Sequence, residues 1–225
     1  MTPLETTVWK RMAIFLVVLA LMIFLPAWTL DYWQGWLHWI VFSGATIWIS
    51  AYFLKHDPEL ARRRLNAGAA AETETSQKII QGFTSLFVIA LFVVSAFDYG
   101  RGGSHVPAAL SIAANAAVLL GFYIMFETFR ANTFAASTIQ VEREQHVISS
   151  GPYAVVRHPM YAGALPMFLA VPIALGSWWG LVPAALLGGA IVARLLDEER
   201  ILRQRLPGYE QYCRDVRYRL IPAVW

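Results

Sequence analysis

Arg194 and Glu198 stand four residues apart in the stretch Arg-x-x-x-Glu-Glu, residues 194–199. On a helix that spacing puts a guanidinium and a carboxylate on one face. Such a pair has two readings: a surface ion pair worth about 0.2–0.5 kcal/mol, with Arg194 snorkelling at a membrane boundary, or a site that grips an anion and a cation. A second polar set lies upstream in Gly-Pro-Tyr-Ala-Val-Val-Arg-His-Pro-Met-Tyr, residues 151–161. Gly151, Pro152 and Pro159 predict a turn feeding a helix N-terminus, where free N–H groups and positive potential gather. His158 is then either a turn residue or a ring aimed at a ligand. Other chemistries are missing. There is no Gly-x-Gly-x-x-Gly and no Walker A loop, Cys213 has no sulfur partner, and no Cys/His spacing suits zinc. His38, His56, His105 and His146 share no spacing, while Glu127 either pairs with Arg130 or faces a cavity, and Asn132 is equally open.

The elements that position these residues are set by a membrane. With 57% hydrophobic and only 15% charged residues, the 225-residue chain is too apolar for an ordinary soluble domain. Crossing about 30 Å of hydrocarbon takes roughly 20 apolar residues in a helix. Residues 12–30, 36–54, 79–97 and 107–129 qualify. The apolar region 161–193 is too long for one span and carries Gly176, Ser177 and Gly180 near its middle, so it predicts two short helices in a hairpin. The expected fold is all-α, with about six transmembrane helices. Residues 1–129 form a four-span scaffold, and residues 130–225 hold the chemistry. Pro166 and Pro172 are expected to interrupt the first hairpin helix. The second passes from apolar to charged without a break and ends at Leu206, Pro207 and Gly208, with a short amphipathic piece over 209–217. Trp28, Tyr32, Trp33, Trp36 and Trp39 predict an interfacial aromatic belt. Asp57 and Pro58 predict a short helix in the loop that follows the second span, with Arg62, Arg63 and Arg64 reading as lipid headgroup contacts.

Cation placement orients the bundle. With the N-terminus inside and six spans, 17 of the 18 Lys and Arg residues fall in cytoplasmic segments, and only Arg101 falls outside. Both termini are therefore expected in the cytoplasm, and the net charge of +3 reads as topology rather than as a nucleic-acid surface. Lys10 and Arg11 before an apolar run resemble a signal peptide, but the run is long and lacks a small-x-small site, so an uncleaved first span is expected. The same charge rule puts the 151–161 turn and the 194–199 stretch on one membrane face, where gathered polar groups suggest a site.

These residues resemble the isoprenylcysteine carboxyl methyltransferase and phospholipid methyltransferase superfamily of integral membrane enzymes. The resemblance rests on Gly-Pro-Tyr, Arg-His-Pro-Met-Tyr, Arg-x-x-x-Glu-Glu, Leu-x-Gly-Tyr-x-x-Tyr and Tyr-Arg-Leu-Ile-Pro, in that order over residues 140–225. It implies S-adenosyl-L-methionine in a cytoplasm-facing pocket of a multi-pass protein of the bacterial inner membrane, among membrane lipids. A lipophilic small-molecule acceptor would enter from the bilayer. By the same match Gln145, His146, Val147, Ile148, Tyr153, His158, Pro159, Met160 and Tyr161 are cofactor-site residues, although the family usually carries His where this chain has Gln145. Glu198 resembles the carboxylate that holds the cofactor, and Arg194 the catalytic cation that orients the acceptor. The acceptor it implies first is a carboxylate of isoprenylcysteine type. A phospholipid amine or a small thiol comes next, an NADPH-dependent sterol-reductase-like enzyme is the other enzymatic reading, and a transporter or assembly protein the non-catalytic one. A carboxylate needs no general base near pH 7, whereas an amine would need a proton acceptor, and none is evident in the sequence.

Overall fold

The computed structural model describes residues 2–65, 69–72, 74–135 and 146–225. Every regular element among them is helical. They are α1 (Pro3–Ala27), α2 (Trp33–His56), α3 (Pro58–Arg64), α4 (Thr75–Gly100), α5 (Ala108–Ala131), α6 (Pro159–Ala174), α7 (Leu181–Arg205) and α8 (Tyr209–Asp215), with single 3-10 turns at Ala69–Ala71 and Gly151–Ala154. α1, α2, α4 and α5 are each long and apolar enough to cross a bilayer, and α6 is a shorter apolar helix. The chain is thus an all-helical, multi-pass integral membrane protein.

The helices overrun the apolar windows because capping side chains extend them into polar sequence. α1 begins at Pro3, where Thr2 and Glu5 bond reciprocally: the Thr2 N–H donates to Glu5 Oε2 at 2.7 Å and the Glu5 N–H to Thr2 Oγ1 at 3.2 Å. The Asp57 carboxylate caps α3 by accepting from the Leu60 N–H, with Pro58 at the first helical position. The 161–193 region does fold as two helices around Gly176, but only α6 is short. α7 runs on through the charged residues to Arg205.

α6 also corrects the expected break at its prolines, since it is continuous from 159 to 174 with Pro166 and Pro172 inside. A proline removes one donor and strains one turn. At the C-terminal end of α6 the Ser177 N–H donates to the Pro172 carbonyl and the Ser111 hydroxyl of α5 to the Ile173 carbonyl. α5 and α6 approach closely at Gly121 and Gly163. A Cβ added to Gly121 would sit 2.6 Å from Met167 Cβ and 2.8 Å from the Gly163 carbonyl oxygen. This contact brings the end of α5 against the start of α6, where the polar cluster lies.

Two surface expectations also change. Trp28, Trp33 and Trp36 are exposed as a belt requires, but Tyr32 is fully buried, stacked on Tyr99 with its hydroxyl donating to the Leu175 carbonyl. Of the three adjacent arginines only Arg62 is exposed, beside Glu59. Arg63 Nη1 donates to the Thr133 carbonyl at 3.2 Å. Arg64 Nη1 donates to the Ala135 carbonyl at 3.1 Å, with its guanidinium over the Phe129 ring. Arg63 and Arg64 therefore brace the chain leaving α5 instead of reaching lipid. Glu127 pairs with Arg130.

Candidate active site

Four segments converge at the end of the bundle where α5 stops and α6 begins. Asn132, Phe134 and Ala135 follow α5; His146, Val147, Ile148 and Tyr153 approach the Arg157-His158-Pro159 turn; Arg194, Glu198, Leu202 and Leu206 lie along α7; and Tyr209 and Tyr212 come from α8. They line a cleft with about 110 Å³ of free interior space.

The structure brings His146, Val147, Ile148, Tyr153, His158, Pro159, Met160, Tyr161, Arg194 and Glu198 into this one cleft. Gln145 lies outside the described residues. Sequence reasoning missed several others. Arg157 sits inside the Arg-His-Pro stretch and lines the cleft, as do Tyr209 and Tyr212, whose Tyr-x-x-Tyr spacing was the available signal. Asn132 also belongs: its Nδ2 donates to the Tyr153 hydroxyl at 3.1 Å, and its Oδ1 accepts from the Phe134 N–H.

Arg194 and Glu198 meet through a third residue. Tyr161 donates its hydroxyl hydrogen to Glu198 Oε2 at 2.6 Å, and Arg194 Nε donates to the same hydroxyl at 3.2 Å. The far side of the guanidinium is held by residues no motif announced. Nη1 donates to Gln81 Oε1 and Nη2 to Glu72 Oε1, both at 2.7 Å. α4 is tied to α7 beside this point, where Ser76 and Gln77 both donate to Asp197 at 2.6 Å and Arg205 pairs with Glu74 at 2.7 Å. Arg194 is thus an oriented cation rather than a snorkelling one, and its orientation comes from the 69–81 segment.

The turn before α6 departs from the expected open N-terminus. The Arg157 and His158 N–H groups donate to the Tyr218 and Arg219 carbonyls at 2.9 and 3.0 Å, so the C-terminal tail satisfies them. The cleft instead receives side-chain groups. His158 Nε2 and the Tyr209 hydroxyl are buried and have no hydrogen-bond partner among the described residues. Burial lowers the His158 imidazole to about 4, which leaves it neutral near pH 7. Burial pushes the Tyr153 hydroxyl up to about 12. Beyond Ala193, where α7 leaves its apolar stretch, burial also raises the Glu198 carboxyl, against the Tyr161 hydrogen bond and the Arg194 charge.

Charge sorts the cleft further. Its two arginines each touch a buried carboxylate: Arg157 is 2.7 Å from Glu199, and Arg194 is 2.7 Å from Glu72. Glu198 makes no ion pair among the described residues. This carboxylate stands among apolar walls from Val147, Ile148, Met160 and Leu202, with three buried polar atoms, Arg157 Nε, His158 Nε2 and the Tyr209 hydroxyl, that have no hydrogen-bond partner among the described residues. No group of His, Cys, Asp and Glu suited to a metal ion occurs among the described residues.

Two comparisons bear on this geometry. Residues 110–207 match the family described as phospholipid methyltransferase, a region running from α5 through the cleft-lining part of α7. Over 124 residues the chain is 31% identical to the Delta(14)-sterol reductase of Mus musculus, covering 48% of this chain and 29% of that relative. The chain spans less than a third of the length of the curated relative it matches.

Proposed function

We propose that this protein, whose residues 110–207 match the phospholipid methyltransferase family, transfers a methyl group from S-adenosyl-L-methionine to a lipophilic acceptor reached from the bilayer. The acceptor group proposed first is a carboxylate of isoprenylcysteine type, with the cleft at the cytoplasmic face. The observation that carries the cofactor assignment is Glu198, a lining carboxylate outside any ion pair among the described residues.

When bound, the cofactor would supply a methyl group carried on its sulfonium sulfur, open to in-line displacement by the acceptor oxygen with S-adenosylhomocysteine as the leaving group. This displacement needs alignment more than covalent help. Glu198 would hold the cofactor's ammonium, kept in place by the Tyr161 hydroxyl. The neutral His158 ring and the Tyr209 hydroxyl offer an acceptor and a donor to the adenine and ribose. Arg194 would present its guanidinium edge to the acceptor, fixed from behind by Glu72 and Gln81.

The likeness to a sterol reductase favours a second reading, hydride transfer from NADPH. A phosphate-rich dinucleotide calls for cations, and both arginines lining the cleft already contact carboxylates, which supports the methyltransferase. Calorimetry on detergent-purified protein tests the choice. S-adenosylmethionine should bind the wild type, and Glu198→Ala should weaken it by roughly 10–150-fold, the loss of about 1.5–3 kcal/mol for a hydrogen bond to a charged group. A wild type that ignores S-adenosylmethionine and binds NADPH would replace this proposal with the reductase. Arg194→Ala should keep cofactor affinity and lose turnover on carboxylate acceptors. Turnover on amines or thiols in its place would move the acceptor class.

A further inference from the structure

Three stretches that lie far apart in the sequence meet at one carboxylate outside the ligand-facing set. Glu199, buried on the side of α7 away from Glu198, accepts from Arg157 Nη2 at 2.7 Å, Arg203 Nη2 at 3.2 Å and Arg219 Nε at 2.6 Å. Arg157 turns its other terminal nitrogen to the tail, where Nη1 donates to the Val216 and Arg217 carbonyls at 2.8 and 2.7 Å. The tail replies through backbone, since the Tyr218 and Arg219 carbonyls take the Arg157 and His158 N–H groups. One carboxylate therefore fixes the turn, α7 and the tail together.

We propose that Glu199 is a positioning residue of the cleft. Through Arg157 and Arg219 it ties residues 216–219 to the turn before α6, and it sets the aim of the His158 ring. His158 Nε2, buried and unpartnered, is the group whose direction depends on this clamp. Burial alone would raise the Glu199 carboxyl, but the Arg219 hydrogen bond and the charges of Arg157 and Arg203 hold it down at about 2. The clamp is therefore ionised at any working pH. Arg157 commits both terminal nitrogens to Glu199 and the two tail carbonyls, while its buried Nε has no partner among the described residues.

The proposal rests on the methyltransferase reading for its cofactor readout only. The experiment pairs amide hydrogen exchange over residues 155–158, read on the full chain without ligand, with calorimetric S-adenosylmethionine affinity. In Glu199→Gln the Arg157 and His158 amides should exchange at least 10-fold faster, and S-adenosylmethionine should bind at least 10-fold more weakly. Glu199→Asp should recover part of both. Unchanged exchange overturns the clamp, and faster exchange with unchanged cofactor affinity overturns its role in the cleft. If the wild type binds no S-adenosylmethionine, the methyltransferase reading fails, and the exchange result still decides whether Glu199 holds the turn. Should Glu199→Gln not fold, Arg219→Gln removes one half-exposed limb of the clamp and is judged by the same two measurements.

Discussion

Glu72→Gln and Glu74→Gln form a matched pair of perturbations. Each removes the charge from a carboxylate 2.7 Å from an arginine of α7, and each carboxylate flanks the start of α4. The pairs differ in burial. The Arg194 and Glu72 side chains are 9% and 1% exposed, whereas Arg205 and Glu74 are 51% and 30% exposed. Removing one partner of a buried pair strands the other charge and costs about 3–5 kcal/mol. Glutamine keeps an acceptor oxygen for Arg194, so about 2–4 kcal/mol is expected for Glu72→Gln. An exposed pair is worth about 0–1 kcal/mol. For a chain of this size each kcal/mol moves Tm by about 2–4 °C. Glu72→Gln should therefore lower Tm by roughly 4–16 °C and Glu74→Gln by less than about 4 °C, read by thermal unfolding in one detergent. Pairing Glu72→Gln with Arg194→Met should recover part of the loss, because the guanidinium is no longer stranded, while Glu198 loses the charge that opposes its burial. Equal shifts for the two glutamine variants, or no recovery in the double variant, would refute the reading that burial rather than distance sets the strength of these bridges.

Acid should unfold the protein in two steps. His158 has its folded value depressed to about 4, so below its ordinary value near 6.5 the unfolded chain binds the proton first. Stability falls from about pH 6.5 to 4, and His158→Asn should flatten that part of a Tm–pH profile. Glu199, held at about 2, contributes stability that is fully present above its ordinary value of about 4.5 and lost as pH falls toward 2. Glu199→Gln should start less stable at pH 7 and lose less below pH 4.5. Gly121→Val should force α5 and α6 apart and cost about 1–3 kcal/mol or more as overpacking, seen as a Tm loss larger than that of Gly189→Val, whose added Cβ meets nothing within 4 Å.

Much of this arrangement is legible from local pattern. Apolar run lengths mark the four long helices, and the Gly176-Ser177 step marks the hairpin. The 151–161 turn and the Arg194–Glu198 spacing mark the cleft, because each is a statement about neighbours in sequence. What escapes is what packing decides. Glu72 and Gln81 reach Arg194 across more than 100 residues, through the contact of α4 with α7, and a polar loop gives no hint of it. Tyr32 reads as a belt residue by its position, yet it is drawn inward to the carbonyl left at the end of α6. Pro166 and Pro172 read as breaks, yet α6 is continuous through both. Arg157 carries no sign of its tie to the tail carbonyls, which lie about 60 residues further along the chain.

Asp197, Glu198 and Glu199 follow one another on α7, and about 100° of turn separates each from the next. Asp197 faces α4, Glu198 the cleft and Glu199 the tail. The three duties are therefore coupled through a single angular setting of one helix. A one-residue insertion between Ala193 and Arg194 would not merely displace one contact, since Asp197 would take the cleft position, Glu198 the tail position and Glu199 the exposed position of Arg200. The α4 tie, the Glu198–Tyr161 contact and the tail clamp would fail together, whereas a substitution at any one of the three leaves the other two in register.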